Sequence, residues 1–182
     1  MEDRKYIGIT DNRLKHMRSV AEECYRLAKE HGLDEDDARA AYVMGFLHDI
    51  GYAFSEKASQ HPEIGKQMIN CAFAPLNGGI PGAGARTAKD ADIADCICRH
   101  GHPYELDNIF TRILDDADMS VNSKGEKVSH EERLSDITVR YGADSRQARN
   151  ASLLLKAFEM PDDKLGDEIL LKEFLAGTGE HQ

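Results

Sequence analysis

Apolar residues recur at three- and four-residue steps along most of this chain, the spacing of a helix with one buried face. Leu14, Met17, Val20, Ala21, Cys24, Leu27 and Ala28 predict a helix over residues 12–31, with Gly32 as its stop. Asp34-Glu35-Asp36-Asp37 then places carboxylates at the N-terminus of a second helix, where the backbone dipole favours them. This helix is expected to run to about Ile50 and stop at Gly51, with Ala38, Ala41, Gly45 and His48 on its inner face. Small residues there let a neighbouring helix approach closely.

Residues 61–74 predict a third helix, with His61 at its start and Pro62 in its first turn. Helical spacing resumes over residues 90–101, where Ile93, Cys96, Ile97 and His100 share a face. A further helix from about Asp107 carries Ile109, Phe110, Ile113, Leu114, Ala117, Asp118 and Val121. Ser129-x-x-Glu132 and Asp144-x-x-Gln147 read as capping boxes, opening helices that run to about Tyr141 and through Phe158. Beyond Pro161 a last helix covers about Leu165 to Leu175. The stretch from Pro75 to Lys89 breaks the pattern; its Asn77 to Gly84 cannot hold a helix, and it reads as a long mobile loop, either an active-site lid or a plain disordered connection. It matches no P-loop or dinucleotide fingerprint, because no strand precedes it and no Gly-Lys-Ser/Thr follows. No alternating β-branched run interrupts the series, so the fold class is all-α.

A length of 182 residues fits one domain with its own core. The net charge of −10, without a Lys/Arg run, argues against nucleic acid and anionic membrane as partners. A phosphorylated substrate stays open if metal ions supply local positive charge. No apolar run approaches the roughly 20 residues that span a bilayer. The charged start, Met1-Glu2-Asp3-Arg4-Lys5, leads into no signal-like apolar region. Cys24, Cys71, Cys96 and Cys98 lack zinc-ribbon spacing, and Cys96 and Cys98 would point about 200° apart on a helix. A reduced, cytoplasmic protein is expected.

The chemistry gathers on His48-Asp49. Neutral imidazole and ionised carboxylate both ligate divalent transition metals, and a carboxylate can bridge two of them. Partners lie at His16, His61, His100 and Asp118, on separate predicted helices. Plainer roles stand beside each. His48-Asp49 can be a C-terminal cation with a surface carboxylate, His16 a satisfied core histidine, and His61 a helix cap. His100 competes with His102 but continues the Ile93–Ile97 face, and Asp118 competes with Asp115 and Asp116 but shares a face with Leu114. His31, His130 and His181 fall at polar ends or in the tail and are expected to do nothing specific. Arg13, one turn before His16, offers a guanidinium suited to phosphate or to a surface ion pair. Arg86, Lys89 and Arg99 are further phosphate candidates, and Glu63 either supports a ligand or favours a helix start.

The ordered set Arg13-x-x-His16, His48-Asp49-Ile50-Gly51, His61-Pro62-Glu63-Ile64-Gly65, His100 and Ala117-Asp118 resembles the HD-domain superfamily of metal-dependent phosphohydrolases. The resemblance covers about residues 12–121 and implies a single HD domain over residues 1–182. That domain is a compact bundle of about seven helices, with those over about residues 130–176 completing it. It implies that His16, His48, Asp49 and Asp118 hold one metal, and that His61 and His100 hold a second bridged by Asp49. Two divalent ions of iron, manganese or zinc are thereby expected. The implied activity is hydrolysis of a phosphoester or phosphoanhydride, of a nucleotide above all, by a metal-activated hydroxide, with Asp49 and Arg13 as catalytic residues. Many members carry lysine after Ile-Gly where this chain has Tyr52, which removes a phosphate contact. Two other functions fit the same ligands: a nucleotide sensor that binds without turnover, and a di-iron oxygenase. Leu153, Leu154, Leu155, Leu170 and Leu171 serve either ordinary packing or a homodimer surface.

Overall fold

Five of the helices begin where a short polar side chain accepts a hydrogen bond from the first turn. Thr10 accepts from the Arg13 N–H (3.2 Å), Asp34 from Asp37 (2.8 Å) and Asn108 from Phe110 (2.8 Å). Ser129 accepts from Glu132 (3.2 Å) and Ser145 from Ala148 (3.1 Å). Each satisfies a backbone donor that has no partner inside its helix. The capping box at Ser129 and Glu132 forms as expected. That at Asp144 does not, because the next residue, Ser145, takes the cap.

The structure is a computed structural model that describes residues 6–73, 88–103, 106 and 108–159, with backbone alone at 72–73 and 88–92. The Gly-rich stretch 77–84 and the helix predicted over 165–175 lie outside the described residues. Among the described residues seven α-helices follow in order: α1 (Asp11–Glu30), α2 (Glu35–Leu47), α3 (His61–Phe73), α4 (Ala88–Arg99), α5 (Ile109–Met119), α6 (His130–Tyr141) and α7 (Arg146–Phe158). Two short 3-10 turns, Ile50–Ala53 and Ala58–Gln60, join α2 to α3. Among the described residues there is no strand, only one isolated antiparallel bridge between Val121 and Lys127. The fold is all-α.

Two apolar clusters organise the bundle. The first joins α1 to α5 through Val20, Cys24, Met44, Ile69, Ile97, Ile113 and Leu114. The second joins the end of α5 to α6 and α7 through Met119, Ile137, Ala151 and Leu154. α1 lies along α2 at close range, as the small inner face of α2 requires. A Cβ at Gly45 would fall 2.7 Å from Cys24 Sγ and 2.9 Å from the Ala21 Cα. Leu154 is buried in the second cluster, with Leu155 packed against it, so packing accounts for that pair.

α2 ends at Leu47, three residues short of its predicted stop, and the backbone has left the helix at Asp49 (φ −100°, ψ 6°). The cause is Gly51, which presses onto the start of α3, where a Cβ would stand 1.9 Å from the His61 carbonyl oxygen. A helix continued to Ile50 cannot make that turn. The early stop sets His48 and Asp49 directly against the first residue of α3. α4 also ends one residue before His100, although the His100 N–H still donates to the Cys96 carbonyl (2.9 Å). α5 spans Ile109–Met119 rather than reaching Val121, because Ser120 closes the helix and Val121 joins the bridge to Lys127.

Candidate metal centre

Each histidine of the predicted set is fixed through one ring nitrogen by a backbone carbonyl. His48 Nδ1 donates to Gly45 (2.7 Å), His61 Nδ1 to Ala58 (2.6 Å) and His100 Nδ1 to Ile97 (2.6 Å). In all three the acceptor lies three residues back, at a helix or turn end whose carbonyls lack backbone partners. His16 lies mid-helix on α1 and reaches instead to the Asn122 carbonyl (3.0 Å), on the turn after α5. A carbonyl only accepts, so each Nδ1 carries a hydrogen, and a ring in its neutral form presents its lone pair at Nε2.

Those Nε2 atoms converge on Asp49. His61 Nε2 stands 3.2 Å from Asp49 Oδ1, and His48 Nε2 stands 3.4 Å from Asp49 Oδ2. His61 Nε2 and His100 Nε2 face each other at 3.1 Å. His16 Nε2 lies 4.0 Å from Asp49 Oδ2 and 3.0 Å from Asp118 Oδ1. His48 Nε2 is buried without a hydrogen-bond partner among the described residues. Nitrogen lone pairs aimed at carboxylate oxygens, and at each other, repel unless a cation or a proton lies among them. Imidazole nitrogen with carboxylate oxygen is a donor set for zinc, manganese or iron, so these residues fit divalent transition metals.

Two groups could each hold an ion, His16 with His48 and Asp49, and Asp49 with His61 and His100. Within each group one ligand atom per residue lies within 4.8 Å of the others. Asp49 belongs to both. Asp118 reaches the first group through His16 rather than by direct approach to Asp49.

The electrostatics keep the carboxylates ionised. Desolvation pushes Asp49 upward, but His48, His61 and Arg13 outweigh it and hold the carboxyl well below its usual range. Asp118 is held down in the same way by Arg133 and His16 against desolvation. Burial lowers His100 to about 3, with His61 and His48 adding to it, so its ring is neutral. Burial opposes the charged form of His48 too, yet the Asp49 carboxylate, aided by Asp118, raises it to about 9.

Arg13 donates to Asp49 Oδ2 from α1, and its guanidinium lies 4.1 Å over the Tyr52 ring. The Tyr52 ring stacks on His61 in turn, with centroids 4.1 Å apart and planes at 13°. Tyr52 therefore joins Arg13 to His61, a role that the missing lysine alone does not reveal. Arg133 on α6 is a further site residue without a place in the sequence reading, and its Nη2 donates to Asp118 Oδ1 (3.0 Å). The signal for it is slight: a charged residue one turn before Ile137, on the buried face of α6.

The remaining candidates lie elsewhere. His102 lines the cleft beside the centre and belongs to neither group of potential ligands. Asp115 accepts from the Gly101 N–H (2.6 Å), and Asp116 pairs with His130 (3.0 Å). His130 thus has a specific role after all, since it also meets the Ser120 hydroxyl (3.1 Å). Glu63 accepts from Gln67 (3.0 Å) and from the Cys98 thiol (3.2 Å) on the α3–α4 surface. Arg99 is exposed at the end of α4, and the side chains of Arg86 and Lys89 lie outside the described residues. All four cysteines are free thiols. No described helix is long and apolar enough to cross a membrane.

A cleft of about 200 Å³ opens over the centre. Asp49, His61, His100 and Asp118 form one side, and Arg133, Ile137, Tyr141, Arg146 and Leu154 the other. No curated protein and no solved structure matches the chain. A model of the HD domain family matches residues 13–137, well over half of the chain, a range that includes every histidine and aspartate of the centre. On that match and on the helical bundle around it, the chain belongs to the HD-domain superfamily of metal-dependent phosphohydrolases.

Proposed function

We propose that this chain hydrolyses a phosphoester or phosphoanhydride of a small molecule, a nucleotide in the first instance, at a centre of two divalent transition-metal ions. One observation carries the reading. The two oxygens of the buried Asp49 carboxylate face different histidines, Oδ1 toward His61 and Oδ2 toward His48, as a bridging ligand requires. His16, His48, Asp49 and Asp118 would hold one ion; Asp49, His61 and His100 would hold the other. Bound there, the ions supply an acidified water and neutralise charge on the phosphoryl oxygens.

The chain's own contribution is orientation and field. Four imidazoles locked by backbone carbonyls present Nε2 without a search over ring tautomers. Burial of His16, His48 and Asp49 excludes bulk water from the inner side, so charges act there at short range and low dielectric. Arg13, at the cleft edge, presents a fork of N–H donors that fits two phosphoryl oxygens at once. The free thiols suit a reducing compartment, and we read the protein as cytoplasmic.

The test combines elemental analysis of the purified protein with turnover of a panel of nucleotides and simple phosphoesters. His48→Ala and Asp49→Ala are expected to abolish metal retention and hydrolysis together. Unchanged metal content and unchanged turnover in both variants would sink the reading. Tight nucleotide binding without turnover points to a sensor, and oxygen consumption by an iron-loaded protein points to an oxygenase.

A further inference from the structure

Each carboxylate of the centre is already held by one guanidinium, and the two arginines come from opposite walls of the same cleft. Arg13 on α1 donates to Asp49, and Arg133 on α6 donates to Asp118 Oδ1 at 3.0 Å. Arg133 is held less completely than its burial demands. Its side chain is 7% exposed, its second partner is Asp136 at 3.2 Å, and its Nε is buried with no acceptor among the described residues. Both arginines line the cleft that opens over the centre.

Within the centre each carboxylate faces one guanidinium, with the partly exposed Asp136 a further partner of Arg133. A divalent ion on Asp118 would compete with Arg133 for the oxygen that also faces His16 Nε2. The guanidinium then loses part of its counter-charge while it stays buried, which is costly unless another anion replaces it. The open side of Arg133 is the cleft. A phosphoryl group has the charge and the spaced oxygens that an arginine fork binds in two places.

We propose that Arg133 is a second phosphate-binding residue of the substrate site, held on Asp118 until a cation takes that carboxylate, with Arg13 on Asp49 as its counterpart. The proposal rests on the metal-centre reading above. It makes ion binding and phosphate binding mutually reinforcing, since each relieves a competitor of the other, and such coupling is reciprocal. Arg133 thereby becomes a residue that touches substrate, rather than one that only orients Asp118.

Calorimetric titration of inorganic phosphate into the manganese-loaded and the metal-free protein tests this without turnover. Loaded Arg133→Gln is expected to bind phosphate about tenfold more weakly than loaded wild type, or worse, as loss of a charged hydrogen-bond pair implies. The same variant should retain manganese at least as tightly as wild type, and Arg133→Lys should fall between the two for phosphate. Weaker manganese binding with unchanged phosphate affinity would overturn the proposal and leave Arg133 a positioning residue for Asp118. Should Arg133→Gln fail to fold, Asp118→Asn supplies the second measurement. Freed of its partner with no ion present, Arg133 should give metal-free Asp118→Asn a tighter phosphate affinity than metal-free wild type, and no gain overturns the proposal. A protein that binds phosphate as described yet hydrolyses no phosphoester leaves Arg133 in place and overturns only the hydrolase reading. An active hydrolase whose phosphate affinity ignores Arg133→Gln does the reverse.

Discussion

Gly51 and His61 meet backbone to backbone: a Cβ at Gly51 would stand 1.9 Å from the His61 carbonyl oxygen and 2.7 Å from the Gly65 nitrogen. Neither neighbour is the end of a flexible side chain, so nothing near the contact can yield cheaply. The same contact carries the chain from the end of α2 to the start of α3, and with it the placement of His61 against Asp49. Gly51→Ala is expected to cost about 3 kcal/mol in denaturant unfolding, as forced overpacking does. Metal analysis of the folded fraction should show His61's ion lost before the other. A variant with wild-type stability and full metal content would show that α3 can shift without disturbing the centre.

The two ligand groups share only Asp49, which predicts an asymmetric response to single substitutions. His61→Ala and His100→Ala should each remove one metal equivalent per chain and spare the other. Asp49→Ala should remove both. Elemental analysis after dialysis against a weak chelator reads the count directly. Two equivalents retained in His61→Ala would reduce His61 to the opening residue of α3, held by the Ala58 carbonyl.

What the sequence makes legible here are the elements and the residues on their buried faces. Leu14 to Ala28 mark α1, and the Ile93–Ile97 face brings His100 rather than His102 into the ligand group with Asp49 and His61. These follow from periodicity, which one segment carries by itself. Contacts between segments are less legible. The early end of α2 depends on Gly51 meeting α3, and nothing in residues 34–50 alone reveals it. Tyr52 reads as the absence of a lysine, whereas its ring between Arg13 and His61 exists only once α1 and α3 have come together. Arg133 follows a capping box, and little in the spacing around it marks it out; its burial on the Ile137 face appears only in the folded chain.

The stack of Arg13, Tyr52 and His61 predicts that the Tyr52 ring matters and its hydroxyl does not. Tyr52→Phe keeps both contacts and is expected to change stability by less than about 1 kcal/mol, with metal content intact. Tyr52→Ala removes a buried ring and should cost about 3 kcal/mol or more in urea unfolding. It also leaves His61 and Arg13 without their common support, so weaker metal retention should accompany the loss. Equal effects of the two variants would assign the role to the hydroxyl instead.

His130 links the end of α5 to α6, and its pairing with Asp116 fixes the sign of a pH effect on stability. The hydrogen bond to the Asp116 carboxylate raises the His130 pKa from its ordinary 6.5, against partial desolvation. A pKa raised on folding means that the charged form is bound more tightly in the folded state. Its contribution is therefore complete below about pH 6.5 and fades as pH climbs through the raised value. Because the pair is partly exposed and screened, the contribution is under about 1 kcal/mol. His130→Gln should lower the urea midpoint more at pH 5.5 than at pH 9, each variant compared with wild type at the same pH. The ring also packs against Phe158, with centroids 5.3 Å apart, and loss of that contact costs the same at both pH values. A deficit that does not shrink with rising pH would assign the whole effect to packing and none to the charge on His130.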